Sequence, residues 1–87
     1  MPKSVEMAHA VLSIVADEFE VPVDDIRSHV KTAEIVDARH TAIKLMYQNG
    51  MYAPRIARIF GCSVRNINYV ITSYENRLKS NNLIRIN

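Results

Sequence analysis

Apolar residues recur three and four positions apart along most of this chain, the spacing that gathers them on one face of an α-helix. A first helix is expected from a cap at Ser4, its stripe running Val5, Ala8, Val11 or Leu12, Val15 and Phe19, and it stops near Glu20. Val21-Pro22-Val23 then reads as a bend, because the residue before proline is pushed out of the helical region. Asp24 or Asp25 caps a single turn over Ile26 to Val30. Residues 29–34 read as a loop. A long helix follows from Ile35 or Val36 to Gln48, burying Ala38, Ala42, Leu45 and Met46 with Ile43 beside them, and Asn49-Gly50 ends it with a glycine cap.

The pattern becomes most informative over residues 53–72, A-P-R-I-A-R-I-F-G-C-S-V-R-N-I-N-Y-V-I-T. Ile56, Ala57 and Phe60 keep helical spacing, Gly61 interrupts it, Ser63 supplies a new cap, and Ile67, Val70 and Ile71 resume an apolar face. Two short helices joined by a tight turn make a helix-turn-helix. Each position has a steric duty. Pro54 suits the first helical position, Ala57 keeps the crossing close, and Gly61 takes the left-handed conformation of the turn. The second helix continues to about Leu78, with Tyr74 and Leu78 on its inner face, and Ser80-Asn81-Asn82 ends it. Its outer face carries Arg65, Asn68, Tyr69 and Thr72, with Ser63, Val64 and Asn66 at the leading end. The tail Leu83 to Asn87 alternates apolar and polar residues, a pattern open to packing, to pairing with a second copy, or to disorder.

The expected fold is therefore all-α, a small helical bundle containing a helix-turn-helix in a single domain over residues 1–87, with residues 1–10 leading into the first helix and 79–87 as a tail. Eighty-seven residues provide one core and no cleft between lobes. No apolar run approaches the roughly 20 residues of a membrane span, and there is no signal-peptide pattern, so the expected location is cytoplasmic. The single cysteine, Cys62, excludes an internal disulfide and reads as a small core residue. His9, His29 and His40 fall on different elements, and no catalytic or metal-ligating spacing is present. An enzyme, a cofactor and a small-molecule substrate are not expected.

Charge distribution says more than net charge. Residues 1–37 carry three basic and eight acidic side chains, whereas residues 38–87 carry eight basic and one acidic, Glu75. The half that contains the helix-turn-helix is the half a polyanion would approach.

Three stretches together resemble a known family. V-A-D-E-F-E-V-P-V-D-D-I (Val15 to Ile26), A-R-H-T-A-I-K-L (Ala38 to Leu45) and P-R-I-A-R-I-F-G (Pro54 to Gly61) are similar, in this order, to the C-terminal DNA-binding domain of the bacterial chromosomal replication initiator, DnaA. The last is similar to that family's L-P-x-I-G-x-x-F-G. The resemblance spans roughly Val11 to Leu78. It implies that Arg39 holds a phosphate, that Lys31 lies where the family places its minor-groove arginine, and that Pro54 and the backbone near Ala53 touch phosphate. The family's R-D-H-T-T is replaced here by Ser63-Val64-Arg65-Asn66-Ile67, so the expected target differs from the initiator's binding box. No glycine-rich phosphate loop accompanies the motif, and the expectation is a stand-alone domain rather than a full initiator.

The expected partner is double-stranded DNA, bound in replication control or transcription regulation of a bacterial or mobile-element genome. Arginine pairs bidentately with guanine and asparagine with adenine, so Ser63, Arg65, Asn66, Asn68, Tyr69 and Thr72 are the candidate base readers. Lys31, Arg39, His40, Lys44, Pro54, Arg55 and Arg58 are the candidates for phosphate and minor-groove contacts. The alternative is a small helical adaptor that binds protein with the same fold, using Tyr47, Met51 and Tyr52 as an exposed patch, and Ile84 and Ile86 against a partner or a second subunit.

Overall fold

Three of the described helices end through the same device. A residue in the left-handed region follows the last helical turn, and the N–H after it reaches back to a carbonyl five residues upstream. Glu20 (φ 55°), Gly50 (φ 94°) and Gly61 (φ 62°) are those residues. Val21 donates to Ala16, Met51 to Met46 and Cys62 to Ala57, each at 3.0 Å. Glycine enters this conformation at little cost, whereas Glu20 adopts it against its own Cβ.

The computed structural model describes residues 2–73 and residue 75, with side chains from residue 5 onward. The elements are α1 (Pro2–Phe19), α2 (Val23–Arg27), α3 (Ala33–Gln48) and α4 (Ala53–Phe60), followed by α5 over residues 64–73, with residue 75 also helical. No strand occurs among the described residues. The all-α expectation holds. The expected continuation through Tyr74 to Leu78, and the tail over 79–87, lie outside the described residues.

One apolar cluster joins the five described helices. Ala8, Val11, Leu12 and Val15 of α1 meet Ile26 of α2, Ala38, Ala42, Ile43 and Met46 of α3, Ile56, Ala57 and Phe60 of α4, and Ile67 and Ile71 of α5. Both Val11 and Leu12 are buried, so α1 presents a broad face rather than a single seam. Alanines at 38 and 42 are fully enclosed, as expected where neighbouring backbones approach closely. No polar residue is buried among those described.

Several boundaries differ from expectation. Ser4 lies inside α1, which starts at Pro2, a residue suited to a first helical turn; the expected lead of residues 1–10 is thus helical from its second residue. The single turn expected over Ile26 to Val30 instead spans Val23–Arg27 and follows Pro22 without a side-chain cap. Asp24 and Asp25 sit in its first turn, where carboxylates favour the helix dipole without capping it. α3 begins at Ala33, two residues before the expected Ile35, and its N-cap Thr32 also makes no side-chain cap bond. Val5 is exposed rather than part of the buried stripe. Met51 is only 4 % exposed and belongs to the core, which removes it from the patch expected with Tyr47 and Tyr52.

Candidate nucleic-acid interface

The turn between α4 and α5 is built by its own sequence. Gly61 closes α4, and Ser63 opens α5: its Oγ accepts the Asn66 N–H at 3.2 Å and its carbonyl accepts the Ile67 N–H at 3.3 Å. This is the capping role expected of Ser63. Behind the turn, Ala57 and Phe60 are buried, and Cys62 is half-buried against the same cluster. Burial pushes the Cys62 thiol up from its ordinary value, and the charge of nearby Arg39 pulls the other way. A thiol held up in this way stays protonated and unreactive at neutral pH.

α5 has two unlike faces. Ile67 is fully enclosed, Ile71 buried and Val70 half-buried, which fixes the helix to the bundle. Arg65, Asn66, Asn68, Tyr69 and Thr72 are exposed, Tyr69 by 70 % of its surface. The structure thus brings the expected base-reading side chains together on one solvent-facing strip, with Ser63 exposed at its start. Arginine, asparagine, tyrosine and threonine on one such strip offer donors and acceptors that match base edges.

A second exposed segment lies between α2 and α3. Ser28 donates from Oγ to the Asp25 carbonyl at 2.7 Å and accepts the Val30 N–H at 3.2 Å. Arg39, half-buried on α3, donates from Nε to the Ile26 carbonyl at 2.9 Å, and from one terminal nitrogen to Val30 at 2.9 Å and Asp25 at 3.4 Å. A short helix ends with orphan carbonyls, and a guanidinium answers several at once with charge-assisted bonds. Lys31 follows directly and is exposed.

The other cationic candidates are more dispersed. His40 is exposed and Lys44 half-buried on α3, and each already interacts with another group of the chain. Pro54, Arg55 and Arg58 are exposed on α4. Arg55 and Arg58 also border a groove of about 730 Å³ between α1 and α4, with Val5, His9, Leu12 and Tyr52 among its other walls. Arg27 crosses from α2 to α4, donating from Nε to the Ile59 carbonyl at 3.3 Å. Neither this tie nor the three carbonyls held by Arg39 was expected from sequence. Side chains that seek main-chain carbonyls many residues away leave no periodic trace.

Among the described residues no group of three or more His, Cys, Asp or Glu side chains is placed to hold a metal ion. None of the described helices is long and apolar enough to cross a membrane.

Comparison with known proteins decides the family. Residues 8–74 match the family model for the bacterial dnaA protein helix-turn-helix. The chain belongs to the DnaA helix-turn-helix family. Among curated proteins it is similar to the chromosomal replication initiator protein DnaA of Nostoc punctiforme, 38 % identical over an alignment 64 residues long that covers 69 % of this chain. That stretch covers 14 % of the Nostoc protein, so the likeness concerns a small part of it and not the whole initiator. No solved structure matches the chain. The matched span runs from the middle of α1 to the end of the described part of α5, so it takes in both exposed segments described above.

Proposed function

We propose that this chain is a sequence-specific double-stranded DNA-binding protein that lays α5 in the major groove. The observation that carries the reading is the division of α5: Ile67 and Ile71 are buried as anchors, and Arg65, Asn66, Asn68, Tyr69 and Thr72 are turned outward together. Family membership supports the same partner. In this reading Arg65 and the two asparagines discriminate bases, and Ser63, Tyr69 and Thr72 add contacts to bases or to the adjoining phosphates. Lys31 enters the neighbouring minor groove, while Arg39, His40, Lys44, Arg55, Arg58 and the backbone at Pro54 engage phosphates. The Nostoc relative is named a replication initiator, and we place this chain in replication control or transcription regulation. Catalysis has no part in the reading.

The experiment is fluorescence anisotropy with a labelled duplex, chosen by in vitro selection from a random pool. Binding is expected to saturate at about 50 mM salt and to weaken steeply by about 200 mM, with a log–log slope near −0.9 for each phosphate neutralised. A selected pool that shows no enrichment, or a protein without salt-sensitive binding at low ionic strength, contradicts the proposal.

A second reading, a protein-binding adaptor, is favoured by one observation: the groove between α1 and α4 has apolar walls at Val5 and Leu12 and an 81 % exposed Tyr52 at its rim. Arg65→Ala with Asn68→Ala separates the two. An adaptor is indifferent to that change, and a DNA reader is not.

A further inference from the structure

We infer that Arg39 is a positioning residue for Lys31, acting on DNA recognition by locking the α2–α3 connection in addition to its own contact with phosphate. The inference rests on the DNA-binding reading above. Three carbonyls, those of Asp25, Ile26 and Val30, are gathered by one guanidinium, which lies across a connection of only a few residues. Val30 is the last of them and immediately precedes Lys31. The donors so used are Nε and one terminal nitrogen, one of the guanidinium's two bidentate edges, and the edge formed by the two terminal nitrogens is left for a phosphate.

Ser28 holds the same connection from its other side, through Asp25 and Val30. Residues 28–30 are therefore fastened at both ends of their short path, and Lys31 is the first exposed cation beyond the fastening. Arg39 also lies close enough to Cys62 for its charge to act on the thiol, and Cys62 precedes the residue that caps α5. A flexible lysine reaching into a groove gains affinity when its backbone is already ordered, because less conformational freedom is lost on binding.

The test is a double-mutant cycle on duplex binding, using Arg39→Lys and Lys31→Ala, with Ser28→Ala as an independent lever. Lysine keeps the charge on α3 but lacks the planar fork that spans three carbonyls. Lys31→Ala alone should weaken binding roughly tenfold and lower the salt slope by about one. If Arg39 acts through Lys31, Arg39→Lys should show a similar loss and a similar drop in slope, and adding Lys31→Ala should cost less than about twofold more. Ser28→Ala, which removes no charge, should then weaken binding by up to roughly fivefold, the scale of one ordinary hydrogen bond.

The inference is overturned if Arg39→Lys keeps wild-type affinity and slope, or if its effect and that of Lys31→Ala multiply. Should Arg39→Lys fail to fold, the Ser28→Ala arm decides: a loss that disappears in the Lys31→Ala background supports the inference, and unchanged binding overturns it. Wild-type protein that binds no duplex at all is a failure of the functional proposal and is seen before any variant is made.

Discussion

α4 and α5 are neighbouring helices whose side chains answer to different demands. In α4, Ile56, Ala57 and Phe60 are buried, and the turn beyond needs the left-handed Gly61, so the fold constrains much of its sequence. In the first turns of α5 the fold asks for Ser63 as a cap and for Ile67 and Ile71 as anchors, and leaves Arg65, Asn66, Asn68, Tyr69 and Thr72 to solvent. A helix can thus keep its place in a bundle while the chemistry on its outer strip is free to suit a partner. The resemblance to the DnaA pattern follows that division: Pro54 to Gly61 keeps to the pattern except for Ala57 in place of a glycine, and Ser63 to Ile67 departs from it.

Breaking the constrained side has the largest expected effect. Ile56 is fully enclosed, and Ile56→Ala should destabilise the fold by about 2–5 kcal/mol through lost burial and a residual cavity. A denaturant titration measures it. A loss below about 1 kcal/mol would mean that α4 is less firmly seated than its burial indicates. Next comes the turn. Space is open around Gly61, since a Cβ built there meets nothing within 4 Å, so Gly61→Ala isolates backbone strain from clash. The expected cost is about 1–2 kcal/mol, read as a drop in Tm of several degrees. An unchanged Tm would show that the left-handed conformation is not required there.

Much of this division was legible in the sequence, because it rests on local chemistry. Helical spacing marked the faces of α1, α3, α4 and α5, glycines marked two of the reversals, and Ser63 marked a helix start that its Oγ bond bears out. The starts of α2 and α3 differ from expectation because Asp24 and Asp25, capping types, sit inside the first turn of α2 behind Pro22, and Thr32 precedes α3 without the side-chain bond its type allows. Glu20 closes α1 in a conformation that its type does not advertise. Met51 differs from expectation for another reason: the residue after a left-handed glycine often packs back on the helix it follows, and an isolated apolar residue in a loop does not disclose that. Arg39 was legible as an arginine near the start of a helix, but not as the holder of three carbonyls nine to fourteen residues upstream.

The unconstrained side supplies the smallest expected effect on stability and the decisive one on function. Arg65 is exposed on α5 and makes none of the contacts that hold the turn. Arg65→Ala should leave stability within about 0.5 kcal/mol of wild type. The most direct measurement is therefore the affinity of wild-type protein and of Arg65→Ala for the selected duplex and for its single-base variants, at one fixed salt concentration. The account predicts a loss of about 1–3 kcal/mol for the variant, with preference relaxed at one base position and retained elsewhere. Equal affinity of the two proteins for every duplex, with both fully folded, would contradict it.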